Sequence, residues 1–345
     1  MTTNYKGERR IGKNGPVWIA FLLMIVVFSC EDPMISPDPV SNNLSNFDFL
    51  WEDVQNRYSF FELKEIDWED IRNTYRPQVD YDMSQQELFD LMAEMLYELK
   101  DGHVNLTSAF DRSRNWDWYL GHPPNFNSNI VDRNYLGRDY RITGPLRNQV
   151  IDSVLYIYYS SFSNTISEGH LEILMRRAAP LKGIIIDVRN NGGGNLRNAR
   201  QLASCFTEEE VPYARERRKT GPAPDDFSDW KTLTIPVKSG LRFEGKVVVL
   251  SNRACYSATT FFAQMMKTLP NVQLLGDQTG GGGGAPSSGE LPNGWQYRLS
   301  VTQTVNLNGE PIEPGVPVDI EVNLTQFDAN RGRDTLIEAA LQLLR

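Results

Sequence analysis

The chain has 345 residues, a formal net charge of −9 at pH 7, and 40% hydrophobic and 23% charged residues. These proportions exclude a disordered protein, and the length is sufficient for a sizeable hydrophobic core. No basic cluster follows residue 13, so nucleic acid is not an expected partner.

The first thirty residues have the order of an export signal. Basic residues come first, an apolar run extends from Val17 to Phe28, and the sequence becomes polar after Ser29 and Cys30. The run is shorter than the ~20 apolar residues of a spanning helix. We therefore predict a signal peptide over residues 1–29 and a lipid-modified Cys30, because VFSC resembles the lipobox of bacterial lipoproteins. The alternatives are an uncleaved anchor or a free cysteine behind an ordinary signal.

Residues 30–43 contain three prolines and no apolar periodicity, which predicts a tether between the lipid and the folded part. Acyl chains on Cys30 would anchor the protein without a spanning helix. We therefore expect a protein of the bacterial cell envelope, lipid-anchored to a membrane and facing the periplasm or the cell surface.

Three stretches within residues 44–103 have apolar residues at helical spacing, which predicts a small helical N-terminal subdomain. Asp67 is the expected N-cap of the second helix. The third helix is the clearest, because Ser84 and Glu87 form a capping box and Gly102 follows its last apolar residue.

The remainder, residues 104–345, is expected to form an α/β core. Residues 104–150 predict only short strands and loops, and from residue 151 buried strands alternate with helices. This alternation predicts a mostly parallel sheet with flanking helices. The predicted strands cover 154–159, 183–188, 246–250 and 272–275, and the predicted helices cover 168–178, 195–206, 257–268 and 334–344.

Chemistry in α/β folds concentrates where strands end and helices begin, and three such junctions are unusual here, the third of them at His103. Asp187 is followed by VRNNGGGN, in which three glycines allow backbone N–H groups to converge on an anion. A loose turn and a nucleotide loop are the alternatives, although the GxGxxG spacing is missing. Ser257 follows a second buried strand. A serine there usually caps the helix, but the helix end would also stabilise an anionic nucleophile.

Among the three histidines, only His103 stands at an element boundary, directly after the third predicted helix. His122 and His170 are expected to be structural or at the surface. A histidine base predicts an activity that rises with pH through the ordinary histidine range.

Two cysteines follow Cys30 in the chain, Cys205 and Cys255. An oxidising compartment would permit a disulfide, but the sequence leaves open whether the two residues meet. Cys255 is expected to be a small buried side chain rather than a nucleophile.

Five segments in this order resemble the tail-specific, or C-terminal-processing, serine peptidases, and within them the tricorn-core-like branch: ELKDGHV, GIIIDVRNNGGGN, VVVLSNRACYSATTFFA, LLGDQTGGGGG and IEPGVPVD. The resemblance runs from about residue 45 to the C-terminus. It implies a crotonase/ClpP-like core without a PDZ domain. It also implies a serine endopeptidase or processing peptidase that acts on exported peptides or unfolded proteins and needs no cofactor and no metal.

The resemblance also implies roles for individual residues. Ser257 would be the nucleophile and His103 its general base, and Glu313 would orient the imidazole directly or through another group. The backbone N–H groups of Gly193 and Ala258 would form the oxyanion hole.

The chain departs from the family at several positions. The processing branch carries a catalytic lysine at about the position of Gly282, and no lysine follows here. In tricorn a serine precedes the histidine, whereas this chain has Gly102 at that position. Thr259-Thr260 stands just after the nucleophile, where an acidic residue is common in the family. These departures keep open a catalytically inactive relative that binds peptides or other ligands. A glycan- or surface-binding lipoprotein is a third hypothesis, suggested by the tether and the aromatic residues within 116–119.

Overall fold

The computed structural model describes residues 41–115 and 120–345. The predicted signal peptide, Cys30, most of the tether and the aromatic segment 116–119 lie outside the described residues. None of the helices in the described ranges is long and apolar enough to cross a membrane.

Three helices open the described chain: α1 (Asn43–Arg57), α2 (Trp68–Tyr75) and α3 (Gln85–Tyr97). Their apolar faces form one hydrophobic core with a three-stranded antiparallel sheet of order β1-β11-β10. The strands are β1 (Asn105–Thr107), β10 (Pro286–Glu290) and β11 (Gln296–Ser300). Tyr297 and Leu299 of β11 are buried among these helices, so residues distant in sequence complete the helical part.

The second part is a seven-stranded sheet of order β13-β9-β8-β5-β4-β3-β2. Its strands are β2 (Arg141–Thr143), β3 (Leu146–Ile151), β4 (Val154–Tyr158), β5 (Gly183–Asp187), β8 (Lys246–Ser251), β9 (Val272–Gly276) and β13 (Ile320–Glu321). Strands β4, β5, β8, β9 and β13 are parallel to one another, whereas β2–β3 and β3–β4 pair antiparallel. The predicted α/β fold with a mostly parallel sheet is confirmed.

Helices cover both faces of this sheet, which explains why its central strands are apolar throughout. Ile184 and Ile186 of β5 face one hydrophobic core, and Ile185 between them faces another. The first core contains α4 (Glu168–Ala178), α5 (Leu196–Ala203) and α6 (Ala258–Lys267), and the second contains α8 (Thr335–Leu344).

Further elements extend this frame. A second three-stranded sheet has the order β12-β6-β7, with β6 (Val211–Arg218), β7 (Lys231–Ile235) and β12 (Thr302–Asn306). Short helical segments lie at Ser128–Ile130, Val131–Leu136 and Ser204–Phe206, and α7 covers Gln326–Ala329. The sequence did not predict the β12-β6-β7 sheet.

Candidate active site

Ser257 has a backbone conformation that a capping serine does not adopt. It immediately precedes α6 with φ 56° and ψ −121°, and its side chain makes no capping hydrogen bond. A non-glycine residue with positive φ is strained, and such strain is concentrated at functional sites. The Ser257 hydroxyl instead faces His103.

His103 lies between α3 and β1 and is 5% exposed. Its Nε2 is 2.9 Å from Ser257 Oγ, which is hydrogen-bond distance. Within the described chain, its buried Nδ1 has no hydrogen-bond partner. The backbone N–H of His103 donates to Asp101 Oδ1 at 2.8 Å, which fixes the turn that carries the imidazole. The arrangement is a serine–histidine pair capable of nucleophilic chemistry.

Burial sets the protonation state of this imidazole. It lowers the pKa of His103 to about 4, with Arg298 and Lys64 acting in the same direction and Asp101 opposing them. His103 is therefore neutral near pH 7 and can accept a proton from Ser257. This pKa lies below the ordinary histidine range that was expected from the sequence.

Glu313 lies near the pair but is not hydrogen-bonded to His103 in the described residues. Its Oε1 is 2.9 Å from Lys64 Nζ, and its Oε2 accepts the Gly283 N–H at 2.7 Å. Lys64 Nζ is also 3.9 Å from Asp101 Oδ2. The route from Glu313 to His103 therefore passes through Lys64 and Asp101, two residues for which the sequence analysis predicted no role.

This buried group contains two carboxylates and a single lysine. Burial raises the pKa of Glu313 to about 7, against the lowering effect of Lys64. Burial would also raise the pKa of Asp101, but Lys64 and His103 hold it below its usual value. Asp101 is further bound by the hydroxyls of Tyr58 and Tyr256, each 3.2 Å away. Asp101 is therefore the permanent anion, and Glu313 is the carboxyl that can hold a proton near neutrality.

The two predicted oxyanion donors lie beside Ser257, but only one of them already has a hydrogen-bond partner within the described chain. Gly193 has φ +100°, and a Cβ there would lie 2.9 Å from Ser257 Cβ, so only glycine fits. The Gly193 N–H donates to Asn191 Oδ1 at 3.0 Å. The Ala258 N–H, the first of α6, has no hydrogen-bond partner in the described chain and is ready to receive an anion.

The two threonines that depart from the family pattern hold the glycine turns in place. Thr259 Oγ1 donates to Asn191 Oδ1 at 2.9 Å, and Thr260 Oγ1 donates to the Gly281 carbonyl at 2.6 Å. Both threonines are fully buried. An acidic residue at either position would place a charge against an oxygen acceptor.

The Tyr256 ring leaves no room for a side chain at two positions close to it, Gly282 and Gly102. A Cβ on Gly282 would lie 2.7 Å from the Tyr256 ring, and a Cβ on Gly102 would lie 3.0 Å from it. The ring centroid is 4.9 Å from that of His103. The tyrosine therefore occupies the space that a lysine at position 282 would enter.

The other candidate nucleophile and bases lie outside this arrangement. Burial raises the pKa of Cys255 to about 12, and its Sγ donates to the Val188 carbonyl, so the thiol is an inert buried group. Cys205 and Cys255 are both unpaired. His122 is exposed, and His170 Nδ1 accepts the Ser167 N–H at the start of α4. The described residues contain no cluster suited to a metal ion.

Ser257 and His103 open into a cleft of about 760 Å³. The lining is strongly basic, because four arginines contribute to it. These are Arg112, Arg114, Arg253 and Arg298.

Two family models match the sequence. The model described as peptidase family S41 matches residues 153–322, and the tricorn protease C1 domain model matches residues 39–97. The crystal structure of a candidate peptidase from Parabacteroides merdae is 41% identical to the chain, covers 88% of it and 97% of its own chain, and superposes with a TM-score of 0.84.

More distant relatives share part of the chain or the fold. The carboxy-terminal processing protease CtpB of Bacillus subtilis is 25% identical over 172 residues, which cover 48% of this chain and 34% of that protein. The chain thus spans about a third of the length of the curated relatives it matches. The structure of mature CPAF is 13% identical over 88% of this chain and 96% of its own, with a TM-score of 0.65, which indicates a common fold.

Proposed function

Because the chain belongs to peptidase family S41, we propose that it is a serine peptidase that cleaves peptides or unfolded proteins, with Ser257 as nucleophile and His103 as general base. The observation that carries the proposal is the 2.9 Å contact between Ser257 Oγ and His103 Nε2 in a cleft open to substrate. Endopeptidase and processing activities use the same chemistry, and this site serves either.

The reaction begins when Ser257 Oγ attacks the peptide carbonyl and its proton passes to His103 Nε2. The negative charge that develops on the carbonyl oxygen is stabilised by the Ala258 N–H at the positive end of α6. Gly193 adds a second donor once its N–H leaves Asn191. His103 then protonates the departing amine, and water hydrolyses the ester on Ser257 with His103 again accepting the proton.

A fluorophosphonate probe tests this proposal, because only an activated serine reacts with it. We expect labelling at Ser257, located by mass spectrometry, and no labelling of Ser257→Ala or of the denatured chain. One observation favours the inactive, peptide-binding alternative, namely that Asn191 already occupies the Gly193 N–H. A folded chain that binds peptide but takes no label would establish that alternative.

The pH profile of hydrolysis should reflect the buried imidazole. We expect the His103-dependent limb of kcat/KM to have its midpoint near pH 4, because protonation at that pH removes the base. A solvated histidine would place the midpoint at about pH 6.5. Rates would be measured upward from acid pH, with recovery after return to neutral pH as the control for unfolding. A midpoint in the ordinary histidine range would contradict the effect of burial.

Glu313→Gln should impair hydrolysis less than loss of His103. The amide oxygen can still accept the Gly283 N–H, and Lys64 keeps Asp101 as a partner, so we expect kcat to fall by about tenfold or less. Lys267→Ala is the control. Lys267 lies away from the cleft, and its Nζ is 3.0 Å from Asp319 Oδ1. If Glu313→Gln were as damaging as His103→Ala, Glu313 would act directly on the reacting groups.

We also propose that Cys30 is lipid-modified and anchors the peptidase in the bacterial cell envelope. The support is the apolar run ending in VFSC and the proline-containing tether. We expect Cys30→Ser to move the protein from the membrane fraction to the soluble fraction, measured by fractionation after a high-salt wash. A substituted protein that stayed with membranes would be held by something other than acyl chains.

A further inference from the structure

We propose that Arg112 and Arg298 bind a carboxylate of the substrate beside the scissile bond, so that the cleft selects peptides that carry a carboxylate at that place. This inference rests on the proposed peptidase function and adds the substrate class. It follows from where the two side chains lie, what holds them and what charge surrounds them.

Strand alternation directs Arg298 into the cleft. Its neighbours in β11, Tyr297 and Leu299, are buried in the helical core, and successive side chains of a strand point to opposite faces. Arg298 therefore lies on the other face, where it lines the same cavity as Ser257 and His103.

Arg112 is held next to Arg298 by the strand beside it. Asn105 of β1 is the register partner of Arg298, and Arg112 Nη2 donates to Asn105 Oδ1 at 3.3 Å. Asn105 Nδ2 in turn donates to the His103 carbonyl at 3.2 Å. Arg112 is thus connected through Asn105 to the backbone of the general base, and Arg298, opposite Asn105 in the sheet, lines the same cleft.

Neither guanidinium is neutralised within the described chain. Arg112 and Arg298 form no ion pair with a carboxylate among residues 41–115 and 120–345, whereas Arg253 in the same cleft is paired with Asp277 at 3.2 Å. Burial lowers the pKa of Arg298 and the nearby Arg112 lowers it further, against the opposing effects of Tyr256 and Asp101. Two adjacent cations in a partly buried cleft repel each other until an anion lies between them.

A carboxylate is the ligand that this arrangement fits. Guanidinium groups bind carboxylates through paired, charge-assisted hydrogen bonds. The chain as a whole has a net charge of −9, so the basic cleft contrasts with its surroundings and attracts anionic segments selectively. The carboxylate can belong to an aspartate or glutamate side chain or to the C-terminus of the substrate.

The test compares fluorogenic peptides that differ in one carboxylate. One series has blocked termini and carries Glu or the isosteric Gln at each position flanking the cleaved bond. A second series has neutral side chains and either a free or an amidated C-terminus. In one of the two series we expect kcat/KM to be about tenfold or more higher for the peptide with the carboxylate than for its neutral counterpart. This difference should shrink at high salt.

The same peptides are then measured with Arg298→Gln and Arg112→Gln. We expect the ratio of kcat/KM for the carboxylate form to kcat/KM for the neutral form to fall to about one in Arg298→Gln and to shrink in Arg112→Gln. The ratio is the readout because both arginines are linked to His103 and their loss can change the rate for every peptide. Arg176→Gln, which removes the same charge from an exposed pair with Glu172, is the control and should keep the preference. Binding of the peptides to Ser257→Ala by fluorescence anisotropy should show the same pattern without turnover.

The outcomes separate this inference from the proposed function. A preference in the first series identifies a side-chain carboxylate, and a preference in the second identifies the C-terminus. Ser257-dependent hydrolysis with no carboxylate preference, or with a preference unchanged in both arginine variants, would overturn the carboxylate site alone. Hydrolysis that persists in Ser257→Ala would overturn the proposed function.

Discussion

Replacement of His103 by alanine is expected to lower kcat for peptide hydrolysis by a factor of about 10⁴ to 10⁶. The variant loses the group that accepts the Ser257 proton, and within the described chain no other base is hydrogen-bonded to Ser257 Oγ. His103 is 5% exposed and its Nε2 is 2.9 Å from Ser257 Oγ. Single-turnover rates with an ester substrate would measure the loss, with circular dichroism to verify folding.

The controls for this prediction separate the histidine from other candidate bases. His170→Ala removes a histidine whose ring accepts a capping N–H at the start of α4, and its activity should be retained. Lys64 is the basic residue to compare, because it is buried beside Asp101 and Glu313. A lysine base must be neutral, but the two carboxylates raise the pKa of Lys64 against the effect of burial. An active His103→Ala together with an inactive Lys64→Met would assign the base to the lysine.

Arg189→Met is expected to lower the free energy of unfolding by ~3–5 kcal/mol, because it leaves two buried carboxylates without their cation. The Arg189 side chain is fully buried. It contacts Asp187 at 2.6 Å at the end of β5 and Asp334 at 3.0 Å at the start of α8. Asp334 also accepts two N–H groups of the first turn of α8, so the arginine joins that helix to the sheet.

Urea unfolding followed by circular dichroism would measure this loss. Arg176→Met is the matched control: its pair with Glu172 is exposed, and exposed pairs contribute little to stability. The double variant Asp187→Asn/Arg189→Met should recover part of the loss, since it also removes one of the unpaired charges. An Arg189→Met chain as stable as the parent would show that the carboxylates are satisfied by protonation alone.

The elements that the sequence predicted well are those in which local pattern and tertiary packing agree. The helix predicted over 168–178 has the same bounds in the structure, because Ser167 caps it and its apolar residues recur on one face. The strand Gly183–Asp187 was visible because helices bury both of its faces. Strand β10 was not, since PSSGE has no large apolar residue and pairs only through its backbone with β11.

The candidate active site could likewise be predicted only where the local sequence carries a pattern. Ser257 and His103 could be proposed because each stands at an element boundary within a recognisable motif. Lys64 could not, because it lies in a turn after α1 and only packing brings it to Glu313. The depressed pKa of His103 likewise depends on burial, which a sequence does not display. Arg298 is an ordinary strand residue until the pairing of β1 with β11 places it in the cleft.

The hydrogen bond between Ser257 and His103 joins residues 154 positions apart, and this separation has a consequence for biosynthesis. The helical core next to His103 is incomplete until Tyr297 and Leu299, which follow Ser257 in the chain, have been made and packed. Contacts of such long range form late, because the loop between them must close first. In a growing or translocating chain, the serine is therefore present before the fold that places His103 beside it is complete. If the proposed function holds, we expect hydrolysis to begin only when synthesis and folding are nearly finished, so that the nascent chain is not cleaved prematurely.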